Sequence, residues 1–434
     1  MRIPKGKWIS GFWPMIFISF STGSVYCWTL FREDIVKWGG TRFIGYCEAG
    51  IRQYQAVFTQ ELLTLCFMLA LFFLGMTAAF GGKLVERSVK RASLYTFIFF
   101  TLGWIITGIG IYARNPILTV VGFGPIQGIG LGLGYLTPIK TLMMWFDDRK
   151  GFAAGIALAA FTLAGLLGNP TIGFLLQFFT VYQAFLILTA LYGVLCFIAY
   201  IIIDRPPLKA EDEAAKTYSA REVIFSKKFI FLWVVLFLNI AAGLALMSHE
   251  QQIYIMLGLD STLNRALIVL FATVTGGGGN LVGRIIMASS QDKTNNKHFP
   301  YYLISIVSII TCVVAIFLMA PGQFVMGFVI IFIIQFFFGA GFACLPCVLE
   351  QHWGMKQLAT IQGYILTAWA IAALIGPQIA IFILELADPI TGTPAVLSTL
   401  NMLYVALAGM FVVQFIFLLL FVRAGKKDGT IKAA

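Results

Sequence analysis

The apolar residues of this chain run in long blocks separated by short polar intervals. Twelve blocks of roughly 20–27 residues can be drawn, each long enough as a helix to cross a hydrocarbon core about 30 Å thick. Their limits are 8–31, 56–80, 92–113, 117–144, 151–176, 182–203, 229–256, 264–288, 299–320, 322–348, 359–385 and 396–422. The pattern predicts an all-α membrane protein of twelve transmembrane helices. The tightest connections fall at Arg114-Asn115-Pro116 and Pro321-Gly322. Residues 32–55, with Arg32, Glu33, Asp34 and Lys37, read as a long outer loop. Residues 204–228 read as the longest inner connection, an exposed amphipathic helix following Pro206-Pro207. The basic tail from Arg423 reads as disordered.

Gly128, Gly130, Gly132 and Gly134 crowd the fourth block. Each would cost a soluble helix about 1 kcal/mol against Ala, whereas in a membrane it lets backbones approach closely. The turn Asp147-Asp148-Arg149-Lys150 is too charged for hydrocarbon and belongs at the membrane edge. This stretch has an echo. Gln127, Pro138, Trp145, Gly155 and Gly168 reappear as Gln335, Pro346, Trp353, Gly363 and Gly376, all at one offset of 208 (335 − 127). Internal similarity of this kind marks transporters built from repeats. It predicts two pseudo-symmetric six-helix halves, 1–203 and 229–422, with 204–228 as linker and 423–434 as tail.

Composition supports the membrane reading. The chain is 59% hydrophobic and 11% charged, against about 25% charged in a soluble domain, and its mean hydropathy is +0.89. A net charge of +11 taken alone points to an anionic macromolecule. On the blocks, however, 22 of the 30 Lys and Arg fall on one side, 6 on the other and 2 inside the membrane. That asymmetry is the positive-inside rule, and it needs no nucleic acid. It places both termini in the cytoplasm, with a cell (plasma or inner) membrane as the expected location. Arg2, Lys5 and Lys7 precede a block too long for a cleavable signal. Six of the seven cysteines lie in blocks and Cys47 in a loop, so no disulfide framework is expected. Cys344-Leu-Pro-Cys347 has redox or metal spacing but no second ligand pair beside it, and reads as packing.

Ionisable groups within the blocks are the functional candidates. Arg284 lies about 12 Å inside the membrane, counted from Asp292 at the inner end of the eighth block. It reads as an anion-binding cation facing a central cavity, with snorkelling or structural pairing as the alternative. Lys140, nearer the edge, is either a second cavity cation or a snorkelling side chain. The run Ser248-His249-Glu250-Gln251-Gln252 points to a broken seventh helix in which His249 and Glu250 carry a proton, or to residues facing outer water. Glu61 is a third proton candidate, otherwise interfacial. Tyr26, Trp28, Tyr135 and Trp369 stand beside small or polar residues and could wall a cavity, or simply pack. Glu86, Arg87, Asp147 and Arg149 are candidates for a cytoplasmic gate of charge pairs. No ATP-binding, metal-ligand or catalytic motif is present, so no cofactor and no enzymatic activity are expected.

FGGKLVER (80–87), GIGLGLGYLTPIKTLMMWFDDRKGFAAGIALAAF (128–161), FLNIAAGLALMS (237–248) and GYILTAWAIAALIGP (363–377) resemble the oxalate:formate antiporter family of the major facilitator superfamily. The resemblance spans nearly the whole chain, and the MWFDDRKG-AAGIA block is its most specific part. It implies the major facilitator fold and secondary transport of small organic anions by alternating access. It also implies that the eighth-helix Arg284 engages a substrate carboxylate, within a cavity of aromatics. The family's oxalate carriers have a Lys in the eleventh helix where this chain has Trp369, in LTAW. One fixed Arg suits a monocarboxylate on charge balance. The reading is thus a mono- or dicarboxylate carrier working by antiport or proton coupling, complete as a monomer. The rival is a carboxylate sensor on a transporter fold that signals through residues 204–228.

Overall fold

The computed structural model of the protein describes residues 6–46, 52–259, 265–320, 322–384 and 393–427. Arg2, Lys5, Cys47, Pro321 and the tail beyond Lys427 lie outside these residues. Among the described residues twelve helices are long and apolar enough to cross a membrane. They are Lys7–Gly39, Gln60–Arg87, Val89–Tyr112, Pro116–Trp145, Asp147–Phe178, Val181–Ile202, Lys227–Met247, Leu267–Lys293, Phe299–Leu318, Phe324–Trp353, Met355–Leu384 and Leu397–Lys427. Polar caps set several starts. Thr59 accepts from the Leu62 amide, Ser88 from Arg91, and Ser226 from Phe229. Asn115 accepts from the Ile117 and Leu118 amides with Pro116 in the first turn, so the tight third-to-fourth connection forms where expected.

Three connections differ from the sequence reading. The first helix runs on through the charged residues to Gly39, because Arg32 bonds Thr64 Oγ1 at 2.7 Å and Trp38 bonds the Ile111 carbonyl at 2.9 Å. The expected outer loop then becomes an antiparallel hairpin, β1 (Thr41–Tyr46) with β2 (Arg52–Ala56). The connection 204–228 holds two short helices, Ala210–Ala214 and Ala220–Ile224, rather than one. A capping box between Ser219 and Glu222 starts the second helix afresh. Gln357 holds this connection through both the amide and the carbonyl of Tyr218.

The chain divides into two compact units, Met1–Thr141 with Ala160–Arg205, and Leu142–Ala159 with Pro206–Ala434. In the first unit the glycine row of the fourth span works as a packing surface. Gly128 and Gly132 lie on the second span at Ala70 and Leu74, and Gly130 lies on the third at Phe100. In the second unit, Gly151 and Gly155 press residues 142–159 against the eighth span. A Cβ added at Gly155 would stand 2.8 Å from the Arg284 carbonyl oxygen. That contact, absent from any reading by halves, is why this segment packs with residues 206–434.

Candidate functional site

The second unit is built around the eighth span. Its centre is a widened π-helical turn, Thr273–Gly279, followed by an α-helix over Asn280–Ser290. Gly339 lies against the Asn280 backbone and Gly283 against Phe336, so the eighth and tenth spans touch main chain to main chain. Arg284 emerges here with no exposed surface. Its Nε donates to Asn280 Oδ1 at 2.7 Å and its Nη1 to the Leu158 carbonyl at 2.8 Å. The guanidinium lies 5.2 Å from the Phe342 ring centre. Phe342 in turn meets the Trp369 ring edge-on at 4.8 Å. The amide and the peptide carbonyl orient the cationic fork without supplying a charge. The structure therefore brings two of the expected substrate residues, Arg284 and Trp369, against one phenylalanine.

In the first unit Tyr26 and Tyr135 both meet Phe161 edge-on, at 5.6 and 5.5 Å. Tyr135 is buried and Tyr26 partly so. Trp28 is a correction. It is 1% exposed, stacks on Phe123 at 3.8 Å and donates to the Leu63 carbonyl at 2.7 Å, so both face and donor are used in the core. Lys140 is another: its Nζ pairs with Glu86, and the two side chains are 2% and 15% exposed. The expected second cavity cation is thus neutralised by an expected gate residue.

The proton candidates separate. Glu61 is exposed on the first turn of the second span, where an anion suits a helix N-terminus, and it drops out. The seventh span does break, after Met247. His249 is partly buried at the break, its Nδ1 3.0 Å from Ser248 Oγ and 3.3 Å from the Ala245 carbonyl. Glu250 begins the next helix, Glu250–Met256, and is 3% exposed.

Of the four gate candidates, Asp147 takes part in a cluster of charge pairs with residues the sequence did not single out. Asp147 holds Lys150 at 2.9 Å and also Lys209, whose pKa is raised by the hydrogen bond and charge of Asp147. Lys150 reaches Glu350 at 2.6 Å. Asp292 accepts from the Gly151 and Phe152 amides at 2.6 and 2.9 Å, capping the fifth span from the eighth. Arg87 is exposed, and Arg149 meets its neighbour Asp148 at 3.7 Å with both side chains mostly in solvent. Both leave the gate set.

Sequence reasoning missed Phe161, Phe342, Asn280, Lys150, Lys209, Asp292 and Glu350. It singled out Gln335 only as a repeat partner. The repeat was a signal for a structural role at that position, since a glutamine in an apolar block needs partners.

Twelve helices long and apolar enough to cross a membrane, with a buried, oriented cation among them, describe a membrane protein rather than a soluble binder. The comparisons say which kind. The profile of the Major Facilitator Superfamily matches residues 8–377, and the chain belongs to that family. The chain is 25% identical over 372 residues to YhjX of Escherichia coli (strain K12), an uncharacterized MFS-type transporter, covering 83% of this chain and 84% of that one. It is 23% identical over 303 residues to the oxalate:formate antiporter of Oxalobacter formigenes, covering 68% and 69%. The crystal structure of the transporter FucP in the outward conformation shares the fold, at a TM-score of 0.63 and 13% identity over 94% of this chain and 98% of that one. The protein is thus a multi-pass membrane transporter and not an enzyme.

Proposed function

We propose that the protein is a secondary carrier of small carboxylates, with Arg284 as the anchor for the carboxylate group. The observation that carries this is a wholly buried guanidinium whose fork is fixed by a neutral amide and a peptide carbonyl beside the Phe342 ring. A planar, permanently charged fork matches a carboxylate bidentately. The likeness to an oxalate:formate antiporter supports the same substrate class. With Trp369 in place of a second cation and Lys140 paired to Glu86, a monocarboxylate balances the site better than a dianion. Tyr26, Tyr135 and Phe161 are the aromatic wall of the first six helices. The two six-helix halves carry the substrate by alternating access in a cell membrane. Both termini and the 204–228 connection are cytoplasmic, and one chain is a working unit. The Asp147–Lys150–Glu350 chain of charges and the Asp292 cap form the cytoplasmic latch.

The test is thermal stabilisation of the purified protein by formate, acetate, lactate, pyruvate, oxalate and malonate, with sugars and amino acids as controls. Saturation at a hundred times the Kd adds about 2.7 kcal/mol to the folded state. Wild type should melt higher with a monocarboxylate, Arg284→Ala should not respond, and Arg284→Lys should respond weakly. Neutral solutes that shift wild type and Arg284→Ala alike would defeat the assignment.

A further inference from the structure

A second buried polar centre lies in the same unit and has no part in anion binding. Gln335 Nε2 donates to Glu250 Oε1 at 2.8 Å and to the Gly243 carbonyl at 3.2 Å, which uses both amide hydrogens. Thr275 Oγ1 stands 3.2 Å from Glu250 Oε2 and 2.7 Å from the Phe271 carbonyl, with a single hydrogen to give. The shorter contact, within its own helix, takes that hydrogen. Thr275 Oγ1 and Glu250 Oε2 are then two oxygens side by side, and a proton on Glu250 makes the bond between them. The remaining titratable neighbours are neutral hydroxyls and a thiol. Tyr254 OH lies 3.4 Å from Thr275 Oγ1, Tyr404 on the twelfth span has a buried hydroxyl, and Cys312 on the ninth lies beyond it. His249 turns to Ser248 and Ala245 instead. Among the described residues no Lys or Arg pairs with Glu250. The Gly276 amide and Gln335 both donate to Glu250, but with no such cation beside it and almost no water the site suits a carboxylic acid better than a carboxylate.

The same two helices join this centre to the anion site. Gly276 and Arg284 are eight residues apart on the eighth span, and a Cβ at Gly276 would sit 2.8 Å from Glu250 Oε2. Gln335, which holds Oε1, and Phe342, whose ring faces Arg284, are seven apart on the tenth. Gly276 belongs to the glycine-rich π turn Thr273–Gly279, which leads into the helix carrying Arg284, so a change of pitch in the turn would move both. The break at Ser248, which is exposed, leads from the surface to Glu250.

We propose that Glu250 is the proton-binding group of a carboxylate–proton symporter, coupled to Arg284 through the eighth and tenth spans. This rests on the carboxylate reading of Arg284. A proton from the loading side forms the O–H of Glu250, and one monocarboxylate binds Arg284. After the carrier changes state the O–H breaks, and proton and anion leave on the other side. The cycle moves no net charge. With the anion on Arg284, an unprotonated Glu250 leaves an unmatched charge in the centre and blocks the change of state, while the empty carrier returns to load again.

The experiment uses the full chain in proteoliposomes, with radiolabelled formate, lactate and pyruvate as probes. Wild type, Glu250→Gln and Glu250→Asp are compared after their melting temperatures confirm folding. Empty wild-type vesicles with acid outside should accumulate a probe at least tenfold above equal-pH vesicles, and a trapped pH dye should record proton entry on adding it. Glu250→Gln should lose gradient-driven accumulation and proton entry, and its counterflow should become independent of pH. Glu250→Asp should restore part of the accumulation. Two results overturn the inference: Glu250→Gln answering the gradient like wild type, or wild type exchanging a probe while ignoring the gradient. If no probe moves in any mode, the carboxylate reading of Arg284 fails first and this inference falls with it.

Discussion

Glu86 and Glu250 both lie largely out of water, and they are kept there in opposite ways. Glu86, at the end of the second span, faces Lys140, and the pair shares one largely buried place. Glu250, at the break of the seventh, faces a glutamine amide, a threonine and a glycine. The first arrangement matches an acidic side chain with a basic one. The second holds a carboxyl group without matching it, so its neutral form fits better than its ionised form. The comparison separates a structural ion pair from a site that can exchange a proton, although both residues are glutamates beside apolar helices.

The comparison predicts unequal responses to the same substitution. Glu86→Gln removes the acidic partner of buried Lys140 and should cost about 3 kcal/mol, the low end for a broken buried pair because Glu86 keeps some exposure. Adding Lys140→Met should recover most of that loss in urea or thermal unfolding. If the double variant is no better than the single, the pair is not what holds Lys140. Gly276→Ala comes next. Its Cβ would crowd the Glu250 carboxyl, an overpacking worth about 1–3 kcal/mol. Combining it with Glu250→Ala should give a double-mutant coupling clearly different from zero, and strict additivity would separate the two residues. Glu250→Gln should be nearly silent for stability, within about 1 kcal/mol at neutral pH, since an amide of the same shape meets neutral partners.

The smallest effect serves as a control outside the membrane spans. Burial, with Lys426 nearby, pushes His298 from 6.5 down to about 4. The unfolded chain therefore takes up its proton first as the solution is acidified. The associated stability is complete above about pH 6.5 and is lost as the pH falls toward 4. His298→Gln should shallow the fall of the melting temperature between pH 7 and pH 5. An unchanged slope would show that His298 charges freely in the folded protein.

Much of the architecture was legible in the sequence because a membrane enforces it. Every backbone polar group in hydrocarbon must bond within its own helix, so long apolar blocks translate directly into spans. The glycine row of the fourth block and the break at Ser248-His249 were legible for the same reason, since each is a local departure from that rule. The site was legible only in part. Arg284 and Glu250 stood out because ionisable residues are rare in such blocks. What the residues do there depends on neighbours far along the chain: Leu158 for Arg284, Gln335 and Thr275 for Glu250, Glu86 for Lys140. Trp28 and Tyr135 looked alike in sequence, and packing placed one on Phe123 with its donor bound and the other against Phe161.

The sequence by itself determined the number of membrane spans, the repeated pattern at an offset of 208 residues, and which few ionisable groups lie within the spans. These follow from hydropathy, length and residue type, which are properties of each segment alone. Only the tertiary structure decided that Lys140 is matched and Glu250 is not, that the hairpin replaces an outer loop, and that residues 142–159 pack with the second unit. Those outcomes are set by distances between segments, and burial makes each one matter because water is no longer there to screen a charge or bond a stray donor.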